Sequence, residues 1–321
     1  MRYAIWITLV SVMAAHAAPG GAQCTLTQPF LASAWPATDF TQCSVDLADV
    51  ISGGPRRDGI PSIDHPMFAS VASSQLGADE PVISLVIDQV ARAYPLRILI
   101  WHEIVNDRVA GIPVAVTYCP LCNAALVFDR RVAGKTLEFG TTGLLRHSDM
   151  IMYDRGGDSW WQQYTGQAIA GAMTGQSLTL VANRLEPFAD FAVRHPQGQV
   201  LIPNDPNARR YGANPYQGYD QSSRPFLYQG PLPAGVPPMQ RVAVAGRTAV
   251  AWPDLQRAGV VERDGYRFEW QPGMRSALDT ADLRAGRAVG SVQVTRARVL
   301  VPHHVTFAFV WHAFNAEEGS D

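Results

Sequence analysis

Residues 112–140 read IPVAVTYCPLCNAALVFDRRVAGKTLEFG, and the way this stretch divides decides the fold. The β-branched run at 112–118 has the composition of a buried strand. Residues 123–140 read as a strand, a turn at Ala133-Gly134 and a second strand. Cys119 and Cys122 therefore fall on a turn between two strands. A thioredoxin-type site would instead set its C-x-x-C where a strand enters a helix, whose N-terminus lowers the thiol pKa. A strand-flanked pair suits a knuckle that presents two sulfurs from a β-turn, and the spacing alone does not choose between a shared metal ion and a small-ring disulfide.

The same β character continues on both sides. VISLVIDQVARAYPLRILIW (82–101) predicts a hairpin turning at Asp88-Gln89, followed by a short helical or extended piece. MIMYDRGG (150–157) adds a strand, and SWWQQYTGQAIAG (159–171) is expected as a short helix or an aromatic-rich turn. EPFADFAVRHP (186–196) has the pattern of a short amphipathic helix stopped by Pro196. Residues 196–238 are dense in Pro, Gly, Asn and Tyr and are expected to form a long loop covering the main sheet. Residues 242–255, VAVAGRTAVAWPDL, echo 82–99, with Trp252-Pro253 facing Tyr94-Pro95. The fold class expected is mainly β with a few short helices (α+β), around a large mixed or antiparallel sheet core. A single domain over 23–321 is expected, with 239–321 as a degenerate second repeat without cysteines.

Arg2 followed by YAIWITLVSVMAAHAA (3–18) and small residues predicts a signal peptide over 1–22 and a periplasmic or secreted protein. The apolar run is shorter than the ~20 residues that span a bilayer, so no membrane span is expected. Gln23 stands where a lipidation site wants a small residue, which argues against an anchor at Cys24. The chain is 47% hydrophobic, enough for a large buried core. A net charge of −2 without any Lys/Arg-rich run excludes the usual electrostatic footprint for nucleic acid. In an oxidising compartment Cys24 and Cys43 are expected to form a structural disulfide.

Two thiolates with imidazole and thioether suit a soft metal, copper above all. The candidate ligands are Cys119, Cys122, His102, His147, Met150 and Met152. Met150 and Met152 alternate on one strand and so share a face, which is equally what core methionines do. Glu103, beside His102, and the Asp154-Arg155 pair join the cysteines as candidates for acid, base or nucleophile. Asp154 and Arg155 read equally well as an ion pair holding a loop. Trp160 and Gln162 are candidate pocket residues. His303 and His304 lie on a β-rich run where adjacent rings diverge, and are left out of the site. No phosphate loop, nucleophile elbow or H-E-x-x-H pattern is present.

Long stretches of the chain resemble the DUF3179 family: DGIPSIDHPMF (58–68), ARAYPLRILIWHEIVND (91–107), VTYCPLCNAALVFDR (116–130), FGTTGLLRHSDMIMYDR (139–155), SWWQQYTGQAIAG (159–171) and YGANPYQGY (211–219). The resemblance implies no particular activity. It places His102, Glu103, Cys119, Cys122, Asp154, Arg155 and Trp160 within family motifs, whereas His147 departs from the Asn or similar residue expected there. Three readings follow. The first is an exported protein binding copper through Cys119, Cys122 and His102. The second is a thiol-disulfide oxidoreductase, and the third a non-catalytic binding protein for an unidentified small molecule or protein, its cysteines bridged.

Overall fold

The computed structural model describes residues 23–26 and 29–318 of the 321. The expected signal peptide, 1–22, lies outside the described residues. The chain is mainly β, with five short helices among the described residues. No helix among them is long and apolar enough to cross a membrane.

The unit carrying the cysteines starts with the hairpin Pro81–Ile87 and Val90–Pro95. Asp88 and Gln89 both take positive φ, 44° and 69°, the two-residue turn whose twist matches the strands. Val90–Pro95 runs straight into the helix Leu96–His102, whose Leu96, Ile98, Leu99 and Ile100 are buried. A helix this short is held by that packing rather than by propensity. The chain then reverses at Glu103 and forms Ile104–Val109, Ile112–Cys119 and Ala124–Asp129 in a four-stranded antiparallel sheet. Arg184–Pro187 returns to pair with Pro81–Ile87 and leads into the helix Phe188–Arg194.

Two expectations need correction. Residues 159–171 form no helix, and the turn expected there is only the link at 163–165 between Trp160–Gln162 and Ala168–Ala170, antiparallel strands closing a five-stranded sheet. Both faces of these strands are buried, so the alternation that marks a strand is missing from the sequence. The long loop also contains a strand, Gln199–Ile202, parallel to Val90–Pro95. Its short β-branched run is masked by flanking Gly and Pro. The rest, 203–238, holds the 3-10 turn Tyr219–Gln221 and a single bridge from Ala213 to Asp282.

A second unit repeats the order. Arg241–Ala245 and Thr248–Ala251 make a hairpin, followed by the helix Trp252–Ala258 and the strands Val260–Arg263, Tyr266–Gln271 and Ser291–Arg296. His304–Phe307 returns to pair with Arg241–Ala245 and leads into the helix Ala308–Glu318. The helix starts shift the echo by two residues, since Pro95 corresponds to Ala251 rather than to Pro253. Pro95 pairs with Val82 and Ala251 with Val242, each immediately before its helix. We propose duplication as the origin of this likeness. One apolar cluster joins Leu99, Val116, Cys119, Cys122 and Met152 to Leu278, Phe307 and Phe309 of the second unit.

The Cys24–Cys43 disulfide is present. It holds a segment that runs along Ala168–Ala170, where Ser44 N–H donates to Ile169 O (3.0 Å) and Gly171 N–H to Gln42 O (3.0 Å).

Candidate functional site

Cys119 pairs with Ala124 across the sheet, so 120–123 must close a tight turn. Asn123 completes it with φ 53° and an N–H bond to Pro120 O (3.2 Å). Both cysteines are free and buried. Their sulfurs lie 3.9 Å (Cys119) and 3.5 Å (Cys122) from Ser148 O, toward which each thiol donates. A second tight turn, His147-Ser148, with φ of 53° and 65°, opens the strand Asp149–Asp154. It brings a carboxylate to the sulfurs: ligand atoms of Cys119, Cys122 and Asp149 all lie within 4.8 Å of one another.

Asp149 is completely buried. Its Oδ2 accepts from Gln162 Nε2 (2.6 Å) and Tyr164 N–H (2.8 Å), while Oδ1 has no hydrogen-bond partner. Burial raises its pKa to about 6. Glu103, also buried, is raised to about 8 by burial and then by the charge of Asp149. Neither carboxyl forms an ion pair among the described residues. Burial pushes both thiols up, Cys122 well above its ordinary range. Metal-free, the cysteines are protonated thiols and poor nucleophiles. An ion entering here would displace their protons.

The Tyr-rich segment lies over this knuckle. Tyr219 hydroxyl donates to Leu121 O (3.0 Å) and accepts from Phe226 N–H (3.3 Å), and Ser148 Oγ donates to Phe226 O (2.5 Å). Asp220 fastens the cover to the second unit through Arg241 (2.7 Å) and Arg287 (2.8 Å). Thr306 Oγ1 of that unit donates to Cys122 O (2.9 Å).

The other sequence candidates are placed as follows. His102 is the last residue of a helix. Its Nδ1 lies 2.8 Å from Pro61 O and its Nε2 2.8 Å from Tyr211 hydroxyl, so both ring nitrogens are engaged away from the cysteines. Met150 and Met152 are buried in the same apolar cluster as the cysteines. His147 is half-buried at its turn, edge-on to Phe314 (5.3 Å) and Tyr228 (6.3 Å). Trp160 packs in a different cluster with Trp35, which meets it edge-on at 5.7 Å. Gln162 does reach the site, through Asp149.

Asp154 and Arg155 do not pair with one another. Asp154 accepts from Trp161 Nε1 (3.0 Å) and Gly157 N–H (2.7 Å). Arg155 pairs with Asp58 (3.0 Å), Glu138 (3.4 Å) and Asp64 (3.5 Å), clamping the segment before the first hairpin. The two rings at 303–304 diverge, as alternation requires. His303 faces Val301 O (2.8 Å) and Val292 O (3.2 Å), whereas His304 meets Tyr164 edge-on at 5.1 Å. Burial lowers His304 to about 3, and its Nε2 has no hydrogen-bond partner.

Asp149 is the residue that sequence reasoning missed. The available signal was RHSDMIMYD (146–154), an acid opening an apolar strand directly after a turn.

Comparison with known proteins adds a family and no activity. The DUF3179 family model, described as a protein of unknown function, matches residues 57–318. No curated protein and no solved structure matches the chain.

Proposed function

Because the chain belongs to the DUF3179 family, whose description assigns no activity, its function must be argued from its own residues, and we propose that Cys119, Cys122 and Asp149 bind a metal ion. The observation that carries this reading is the convergence of two sulfurs and a carboxylate within 4.8 Å. It is strengthened by an Asp149 Oδ1 without a hydrogen-bond partner. Buried acids are normally neutralised, paired or bound to a metal.

The donor set favours zinc over the copper expected from the sequence. Zn²⁺ accepts thiolate and carboxylate together, whereas Cu(I) prefers sulfur and imidazole donors throughout. His102 supplies no imidazole here. Three protein ligands leave a tetrahedral ion one free position, the pattern of reactive rather than purely structural zinc. Export belongs to the same proposal, supported by the Cys24–Cys43 disulfide.

The test is elemental analysis of protein prepared reduced and without oxygen, beside Cys119→Ser/Cys122→Ser. Stoichiometric zinc lost in the variant is the expected result. Copper in its place would overturn the choice of metal, and no metal in either sample would overturn the site. A redox pair is the second reading, favoured by the presence of one disulfide in the same chain. Its buried, protonated thiols and the lack of a helix after Cys122 count against it. Ready exchange of the pair with a dithiol would favour it.

A further inference from the structure

Glu103 occupies a backbone position made for glycine. It caps the helix Leu96–His102 with φ 59° and ψ −34°, where a Cβ crowds the neighbouring carbonyl. The second unit makes the same bend with Gly259, at φ 70° and ψ −42°. Each residue donates its N–H to a leucine carbonyl, Glu103 to Leu99 (2.7 Å) and Gly259 to Leu255 (2.8 Å). Each accepts from the facing strand, Glu103 from Tyr118 N–H and Gly259 from Trp270 N–H, both at 2.8 Å. The bend therefore occurs twice and contains glycine once.

Strain retained in one copy needs a compensating gain, and the Glu103 side chain supplies no structural one. Its carboxyl is buried and makes no hydrogen bond or ion pair among the described residues. The bond from Tyr118 places its backbone beside Cys119, the charge of Asp149 acts on it, and its own charge acts on Cys119.

Resting on the metal reading above, we propose that Glu103 is the outer carboxyl of the Cys119–Cys122–Asp149 centre, holding the water that fills the ion's fourth position. Direct ligation fits less well. Two thiolates and one carboxylate already exceed the charge of a divalent ion by one, and a fourth anionic ligand would bury a second uncompensated charge. An outer carboxyl that accepts a hydrogen bond from bound water orients it without entering the coordination sphere.

The experiment compares wild type, Glu103→Gly and Glu103→Gln, each metal-free and zinc-loaded. Chelator competition should show zinc binding about 10- to 100-fold weaker in Glu103→Gly, with a smaller loss in Glu103→Gln, whose amide still holds the water. Metal-free Glu103→Gly should have a higher Tm than wild type, since strain and a buried acid are removed together. Unchanged zinc affinity in Glu103→Gly overturns the proposal, as does a metal-free Tm no higher than wild type. Zinc uptake absent from wild type, as from Cys119→Ser/Cys122→Ser, overturns the underlying metal reading as well, so the two failures are told apart.

Discussion

The two units differ most where their central strands turn. In the first, 120–123 joins Ile112–Cys119 to Ala124–Asp129. In the second, 272–290 spans the corresponding strands Tyr266–Gln271 and Ser291–Arg296. Register sets Cys119 against Gln271, each followed by proline. The short turn gathers two sulfurs, and the long one reaches out to hold the cover, with Ser276 Oγ bonded to Asp220 (2.5 Å) and Gly218 N–H to Asp279 O (2.5 Å). One order of strands thus gathers two sulfurs in one unit and fastens a cover over them in the other.

The buried acid of the first unit gives the metal-free protein a pH dependence of its own. Glu103 titrates near 8 when folded and near its ordinary 4.5 when unfolded, so between those values the folded state keeps a proton that the unfolded state has lost. Stability should therefore fall as pH rises across that window, by up to about 1.4 kcal/mol per pH unit. Urea unfolding of Glu103→Gln should lose the slope above the pKa of Asp149, about 6. An unaltered slope would place the buried acid elsewhere.

The fastening role of the second unit is exposed by Asp220→Ala, which leaves Arg241 buried without its carboxylate. A loss of about 3–5 kcal/mol in unfolding free energy is expected. Removing the lid's contact with the knuckle by Tyr219→Ala should speed alkylation of the reduced cysteines about tenfold, equivalent to about 1.4 kcal/mol of local opening. Equal rates would mean that the cover is not the barrier. A comparably small effect is that of Gly259→Glu, which gives the second unit the side chain of the first. A Cβ there meets nothing within 4 Å, so only backbone strain is added, lowering stability by about 1–2 kcal/mol without creating a metal site.

Local chemistry made much of the fold legible. Asp88-Gln89 and Ala133-Gly134 were recognisable as turns, and the knuckle between strands followed from β-branched runs on either side of Cys119 and Cys122. The likeness of the units was also visible, though out of register by two residues, because Pro95 and Pro253 invite alignment while the helix starts decide it. The piece that carries His102 was left between helical and extended. LRILIWH is rich in residues that favour strands, and only burial against the first hairpin makes it helical. Asp149 could not be assigned to the cysteines by sequence distance, since a separate turn delivers it. Trp160 shows the converse: a residue type that suits a pocket is here packed into an apolar cluster apart from the cysteines.

The strap held by Cys24–Cys43 has a consequence for solution behaviour. Ala168–Ala170 is the last strand of its sheet, and the bonds from Ser44 and to Gln42 occupy its outer side. A strand left open there is a template for pairing with another molecule. The disulfide therefore guards an edge against self-association, and a chain reduced at Cys24 and Cys43 should be recognised first by its tendency to aggregate.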